Sequence, residues 1–332
     1  MAAPTSRNES GLTDSRHDNS MSVACGALQR IGERGDFMTA SGKPGGIAVA
    51  ASAGTARPPA MIARAASAGL VGDPRSWRST GLPQGSPGID TVLYRLESGR
   101  PRPRELAVKF AERVRRNLMG IHARIVGDPG QVSPRFSGKD ELGAPLQGHG
   151  HSFVFPLDLD GDGRLDHLAV TCREAFDEHE LLALVAFREL RYPDGRAIDR
   201  LIPLRCDRLG RIFEPTRMVT SVTPFVPPRH YRKGRGSYDR WLEAELLMDL
   251  SRRGLAAPVR VERIDRPEGA ASARSWGAFI RTRKGEPERA GFGFSLIFDR
   301  PVPVPFALGY GCHFGLGLFV GVDSRTPVEG EA

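Results

Sequence analysis

The sequence predicts an α+β chain of two tandem ferredoxin-like (RRM-like) units, the second carrying a C-terminal glycine-rich loop. Three observations carry the prediction. Residues 89–212 alternate between period-two and helical hydrophobic spacing in the order β-α-β-β-α-β, and residues 213–323 begin the same series again. Phe306–Val320, FALGYGCHFGLGLFV, then sets four glycines among apolar residues.

Residues 1–88 stand outside this pattern. Only 11 of them are Leu, Ile, Val or Phe, too few for a core, and no period persists, so the segment reads as a disordered or non-homologous leader. From Ile89 the signal is regular. DTVLYRLES (Asp90–Ser98) is a short strand, and the run opening at Pro101 and Pro103 carries Leu106, Phe110, Val114 and Leu118 at helical spacing. HSFVFPL (His151–Leu157) and DHLAVTC (Asp166–Cys172) are strands joined by a tight polar turn. FDEHELLALVAFREL follows as a helix with Asp177 as N-cap and Leu181, Leu184, Val185 and Leu190 on its apolar side, and IDRLIPLRC (Ile198–Cys206) closes the unit.

In the second unit TRMVTSVTPFV (Thr216–Val226) predicts a strand and SYDRWLEAELLMDLSRRGL (Ser237–Leu255) a helix with Gly254 near its end. PVRVERI, SWGAFIRTR and GFGFSLIF predict further strands; no second helix is visible, so a loop has to stand in its place. Residues 324–332 read as a disordered tail. In the glycine stretch, strand geometry puts Gly309, Gly311, Gly315 and Gly317 on one bare face, with Leu316, Leu318 and Val320 on the other. A strand glycine costs roughly 0.5–1 kcal/mol relative to alanine, so four of them call for a closely packed helix or a ligand backbone. Exposed N–H groups of this kind suit a phosphodiester.

The net charge of +8 and pI near 9.7 favour an acidic partner, nucleic acid ahead of an anionic membrane. Cys25, Cys172, Cys206 and Cys312 lack paired or metal-ligand spacing and read as free thiols in a reducing cytoplasm. No apolar run approaches the ~18 residues of a membrane span, and no secretory h-region is present.

Three groups of residues could carry chemistry. Asp158, Asp160, Asp162 and Asp166 with Gly163 match the first half of a calcium loop, but the twelfth position is Ala169 and strands flank it. Weak or absent metal binding is therefore expected, and the carboxylates can instead satisfy their own turn. Near this hairpin lie His149, His151 and His167, whose neutral imidazoles suit proton transfer near pH 7. Two of them can serve metal-free RNA cleavage by a ribose 2′-OH; alternatively His149, His151, Asp166 and His167 hold a zinc-like ion. Finally, PPRHYRKGRGSYDRW (Pro227–Trp241) offers Arg229, Arg232, Lys233 and Arg235 to phosphates and Tyr231 and Tyr238 to bases.

SGKDELGAPLQGHGHSFVFPLDLDGDGRLDHLAV, TPFVPPRHYRK and FALGYGCHFGLGLF, in that order, resemble the fused RNA-processing subunit of subtype I-U (I-G) CRISPR systems, a member of the RAMP superfamily, over about Gly88–Val322. The resemblance implies endoribonucleolytic processing of CRISPR repeat transcripts without a metal or other cofactor. It further implies an RNA-contacting glycine-rich loop, here Gly309, Gly311, Gly315 and Gly317, and effector-complex subunits as partners besides the crRNA. Nucleases of this superfamily commonly use a histidine whose position varies, so His149 and His151 are chosen by chemistry, with His167 and His313 behind them. Family members carry a further RAMP-type backbone domain ahead of the processing half; residues 1–88 do not resemble it. Two rival readings stay open, a non-catalytic RNA-binding subunit and a metal-dependent hydrolase.

Overall fold

The first sheet grows from β1 (Thr91–Glu97), α1 (Ala107–Val126), β2 (Phe153–Leu157), β3 (His167–Thr171), α2 (Glu178–Ala186), β4 (Glu189–Arg191) and β5 (Ala197–Asp207) in a computed structural model that describes residues 88–232, 236–267, 275–280 and 289–322. The expected leader and tail, with Cys25, Lys233 and Arg235, lie outside the described residues. Its strand order is β2-β3-β1-β5-β4 with every pair antiparallel. Without the added edge strand β4, that is the ferredoxin-like order expected for β-α-β-β-α-β.

Helix α1 buries Phe110, Ala111, Val114, Leu118 and His122, one stripe at helical spacing, and stops where Gly127 turns left-handed and donates its N–H to Ala123 O. Helix α2 opens with a capping box in which Asp177 accepts from Glu180 N and Glu180 accepts from Asp177 N. It ends at Ala186, short of the predicted Leu190. Phe187 is fully buried and packs edge-on to Tyr94 with centroids 5.9 Å apart, and the chain leaves the helix there to pair β4 with β5.

Both β2 and β3 are buried at every position. The reason is that each face of the sheet is covered. Val154, Leu168 and Val170 pack with Val92 and Tyr94 under the helices, while Leu93, Phe155, Leu157 and Ala169 enter a core shared with the second sheet. Each of the Val, Leu and Phe side chains among them contributes about 1.5–3 kcal/mol of burial energy.

The second sheet uses β6 (Thr216–Ser221), α3 (Tyr238–Arg252), β7 (Arg260–Ile264), β8 (Gly293–Val302), β9 (Phe306–Ala307) and β10 (Leu318–Gly321), ordered β9-β10-β6-β8-β7. Leaving out β9, this is the same ferredoxin-like order. The crossover from β8 to β10, a helix in the first unit, is here the glycine-rich loop. The predicted strand at SWGAFIRTR is corrected: Trp276–Phe279 is a 3-10 turn that buries Trp276 and Phe279 against Val226 and Leu316, and residues 281–283 lie outside the described set.

The glycine stretch is corrected as well. β9 ends at Ala307, β10 starts at Leu318, and between them Gly309, Gly311, Gly315 and Gly317 have φ of 83°, 74°, 73° and 65°. Left-handed backbone replaces the period-two strand, so there is no bare face. A Cβ on Gly317 would sit 1.9 Å from Leu308 O and one on Gly309 2.4 Å from Val226 O. The close backbone approach that the glycines require is made by the chain itself. Buried Thr223 pins the loop, donating to Gly315 O at 2.7 Å and accepting from Leu318 N at 2.8 Å, and Asp249 of α3 accepts from Gly309 N at 2.6 Å. Cys172, Cys206 and Cys312 are free and buried, and among the described residues no helix is long and apolar enough to cross a membrane.

Candidate functional site

Gly311 and Gly315 bracket a single 3-10 turn, Cys312–Phe314, and so fix His313 at its centre. From the first unit, the segment entering β2 brings His149 and His151 to the same place. The rings of His151 and His313 stack at 3.4 Å, Phe153 stacks on His313 at 4.0 Å, and His149 Nδ1 lies 3.2 Å from His313 Nε2. Strand β2 begins at Phe153 and not at the predicted His151, so His149 and His151 lie in the segment ahead of it; they meet around a third ring from the C-terminal part of the chain.

The contacts assign the protons. Ser152 O can only accept, so His313 Nδ1, 3.2 Å away, carries its hydrogen and leaves a lone pair on Nε2. His149 then donates from Nδ1 and keeps the Nε2 lone pair. His151 Nδ1 is buried without a hydrogen-bond partner, so the tautomer protonated on Nε2 avoids burying an unmatched donor.

Burial first, then the guanidinium charges of Arg253 and Arg115, lower the pKa of His149 and His151 to about 4. His313 is pushed down by burial, then by His151 and Arg253. At pH 7 all three rings are neutral, which suits a proton acceptor. Arg253, next to the last residue of α3, lies over the Phe153 ring at 4.4 Å, and Arg115 of α1 over Phe314 at 5.4 Å. The His149–Cys312–His313 set offers three ligand atoms within 4.8 Å of one another, the arrangement at this site able to hold a metal ion.

His167 does not join them. It pairs with Leu157 while Phe153 pairs with Thr171, which puts it four residues, or ~13 Å, along the hairpin. Its Nδ1 lies 2.9 Å from Asp166 Oδ1. The zinc set of His149, His151, Asp166 and His167 is therefore split between two ends of the sheet. In the calcium-like turn the carboxylates bind their own backbone: Asp158 accepts from Gly161 and Gly163, Asp160 from Asp162, Asp162 from Arg164, and Asp166 from Leu159 and Asp160. Burial raises Asp158 to about 6, and Asp158, Asp160 and Asp162 still offer three ligand atoms within 4.8 Å of one another, an arrangement able to hold a metal ion.

In the basic loop, Arg229 makes a two-pronged pair with buried Glu245, at 3.0 and 2.7 Å, which takes up its fork. Tyr231 and Tyr238 pack edge-on at 5.1 Å and both touch Trp241. Arg232 remains exposed. Sequence reasoning missed a second basic surface, a groove of about 610 Å³ between α1 and β4 lined by Arg116, Arg124, Arg188 and Arg191 beside Tyr192. Arg113 and Arg196 stack on Tyr192 at 5.3 and 4.8 Å. These cations come from segments more than 60 residues apart, so only their i, i+3 and i, i+8 spacing along α1 could have drawn attention to one helix face.

No protein-family model and no curated protein matches the chain. Solved structures similar to it include a Cas6 product complex (14% identity, TM-score 0.34, covering 70% of this chain and 99% of that one). A RAMP protein binding different RNA substrates (11%, 0.34, covering 71% and 99%) and a Cas6-related protein of Pyrococcus furiosus (12%, 0.32, covering 72% and 100%) are also among them. The ferredoxin-like assignment stands on this chain's own strand order.

Proposed function

We propose that this chain binds CRISPR repeat RNA and cleaves it as a metal-independent endoribonuclease, as the processing subunit of a subtype I-U (I-G) system. The observation that carries the proposal is the meeting of His149, His151 and His313 among arginines, three neutral imidazoles where a phosphodiester would be attracted. His149 Nε2 takes the proton of a ribose 2′-OH, the oxygen attacks the adjacent phosphorus in line, and His151 as imidazolium protonates the departing 5′-oxygen. The products are a 2′,3′-cyclic phosphate and a 5′-hydroxyl. The phosphate's own charge favours the protonated ring and raises His151 from about 4 on binding. Arg232, Lys233 and Arg235 of the basic loop and the α1–β4 groove hold flanking RNA. Other effector-complex subunits and a cytoplasmic setting complete this reading.

The test is cleavage of repeat RNA by the full chain in excess EDTA. The expected product carries a 2′,3′-cyclic phosphate, and His149→Ala or His151→Ala slows cleavage by roughly 10²–10⁴ while RNA affinity stays within a few-fold. Full activity in both single variants overturns the assignment. The His149–Cys312–His313 set favours a second reading, a metal-dependent hydrolase. Loss of activity in EDTA with recovery in zinc would decide for it.

A further inference from the structure

Two arginines flank the three histidines, and they are not equivalent. Arg115 is committed to structure: its Nε donates to Phe136 O at 2.7 Å and its Nη2 to Ser137 O. Arg253 is committed less: one side-chain hydrogen bond links it to buried Cys312, while its Nε and Nη2 are both buried and neither has a hydrogen-bond partner. Those two N–H groups form one edge of the guanidinium, the fork that grips two oxygens of a phosphate or carboxylate side by side. Leaving such donors buried and unmatched is costly, so their position calls for a ligand.

The acids nearby are already occupied. Asp249, one turn earlier on α3, accepts from Gly309 N, and Glu245 holds Arg229. The remaining face of Arg253 lies over the Phe153 ring, which itself stacks on His313. One aromatic column thus fixes the guanidinium and the imidazole in register. The cation also follows the C-terminal end of α3, where the helix dipole favours positive charge.

We infer that Arg253 is the phosphate ligand of this site, its Nε–Nη2 edge taking two non-bridging oxygens of the phosphodiester that His149 and His151 attend. The inference rests on the proposed RNA-cleavage reading for its substrate, although the anion site itself does not depend on cleavage. Arg253 as a residue is only partly buried, so a small turn of the guanidinium over the Phe153 ring opens its Nε–Nη2 edge to an anion. Bound there, it neutralises the charge that builds on the equatorial oxygens during in-line attack.

The first arm uses inorganic phosphate and the full chain, followed by NMR. In the wild type, phosphate is expected to shift the Arg253 Nε–H signal and the His149 and His151 ring signals together, with one saturating curve. Arg253→Gln should weaken that binding at least tenfold, and Arg253→Lys, which keeps the charge and loses the fork, should fall between. Unchanged phosphate affinity in a folded Arg253→Gln protein overturns the inference; should Gln fail to fold, wild-type affinity in Arg253→Lys does so. The second arm uses repeat RNA, where Arg253→Gln should lower kcat about 100-fold or more with RNA affinity within a few-fold; wild-type kcat also overturns it. If the wild type cleaves no RNA yet phosphate still binds through Arg253, the cleavage reading fails and the anion site stands.

Discussion

The two ferredoxin-like sheets share one strand order and differ at one crossover. In the first, the return from β3 to β5 is led by α2, a helix with a capping box and a buried glutamate that also pairs with Arg135 at 2.8 Å. In the second, the return from β8 to β10 is a loop with one 3-10 turn, held by left-handed glycines, Thr223 and Asp249. A helix at that position would cover the sheet and keep side chains at their own sheet. The loop is thin enough to let His313 reach the neighbouring unit. Topology repeats where stability is needed, and departs where the histidines gather.

The comparison breaks most visibly at the glycines. Gly317→Ala places a Cβ 1.9 Å from Leu308 O in left-handed backbone, whereas Gly195→Ala, also left-handed at the β4–β5 turn, meets nothing within 4 Å. Gly195→Ala should cost only about 1–2 kcal/mol of conformational strain. Gly317→Ala should cost about 4 kcal/mol or more, a fall of roughly 10 °C in melting temperature. Equal melting temperatures for the two variants would mean the glycine loop is no more tightly built than a surface turn.

A smaller effect is expected at the hydroxyl that stands in for helical hydrogen bonds. Thr223→Val keeps the volume and leaves Gly315 O and Leu318 N unmatched, at about 1–3 kcal/mol. Cleavage should fall with it, because His313 rides on the same loop. Hydrogen exchange at Leu318 reports the loss directly, and unaltered protection there would remove Thr223 from the account.

A third effect is expected in acid. His149 and His151 have folded pKa values of about 4 against 6.5 when unfolded, so the unfolded chain takes up protons first, and their contribution is lost as pH falls from 6.5 toward 4. Asp158, raised from 3.8 to about 6 in the first unit's hairpin, acts in the opposite direction and costs stability as pH rises through the same window. Chemical denaturation between pH 4 and 7 should therefore show a shallow slope in the wild type. Replacing both histidines with alanine should tilt it toward greater stability in acid; an unchanged profile would mean the rings are solvated.

Much of the fold could be read because large side chains carry a period. Phe110, Val114 and Leu118 mark α1, and Val154, Leu168 and Val170 mark a strand pair whatever surrounds them. The glycine stretch could not be read in that way. Odd spacing at Gly309, Gly311, Gly315 and Gly317 fits a strand face and a chain of left-handed turns equally well, since glycine has no side chain to show which neighbour it approaches. The histidines were legible by type and not by partner. His149 and His151 attract notice as a pair, but His313 is 162 residues beyond the second of them. Arg253 carries no sequence signal beyond a charge near a helix end, and its unmatched edge is a fact of three dimensions. The partner of Arg229 was hidden for the same reason, because Glu245 sits a full loop away.

The stacked rings of His151 and His313 belong to the first and the second ferredoxin-like unit, so the site is a seam and not a pocket cut into one body. A seam records assembly. Their ring-current shifts exist only while the halves are apposed, which turns the imidazole spectrum into a built-in gauge of closure, readable with no substrate present.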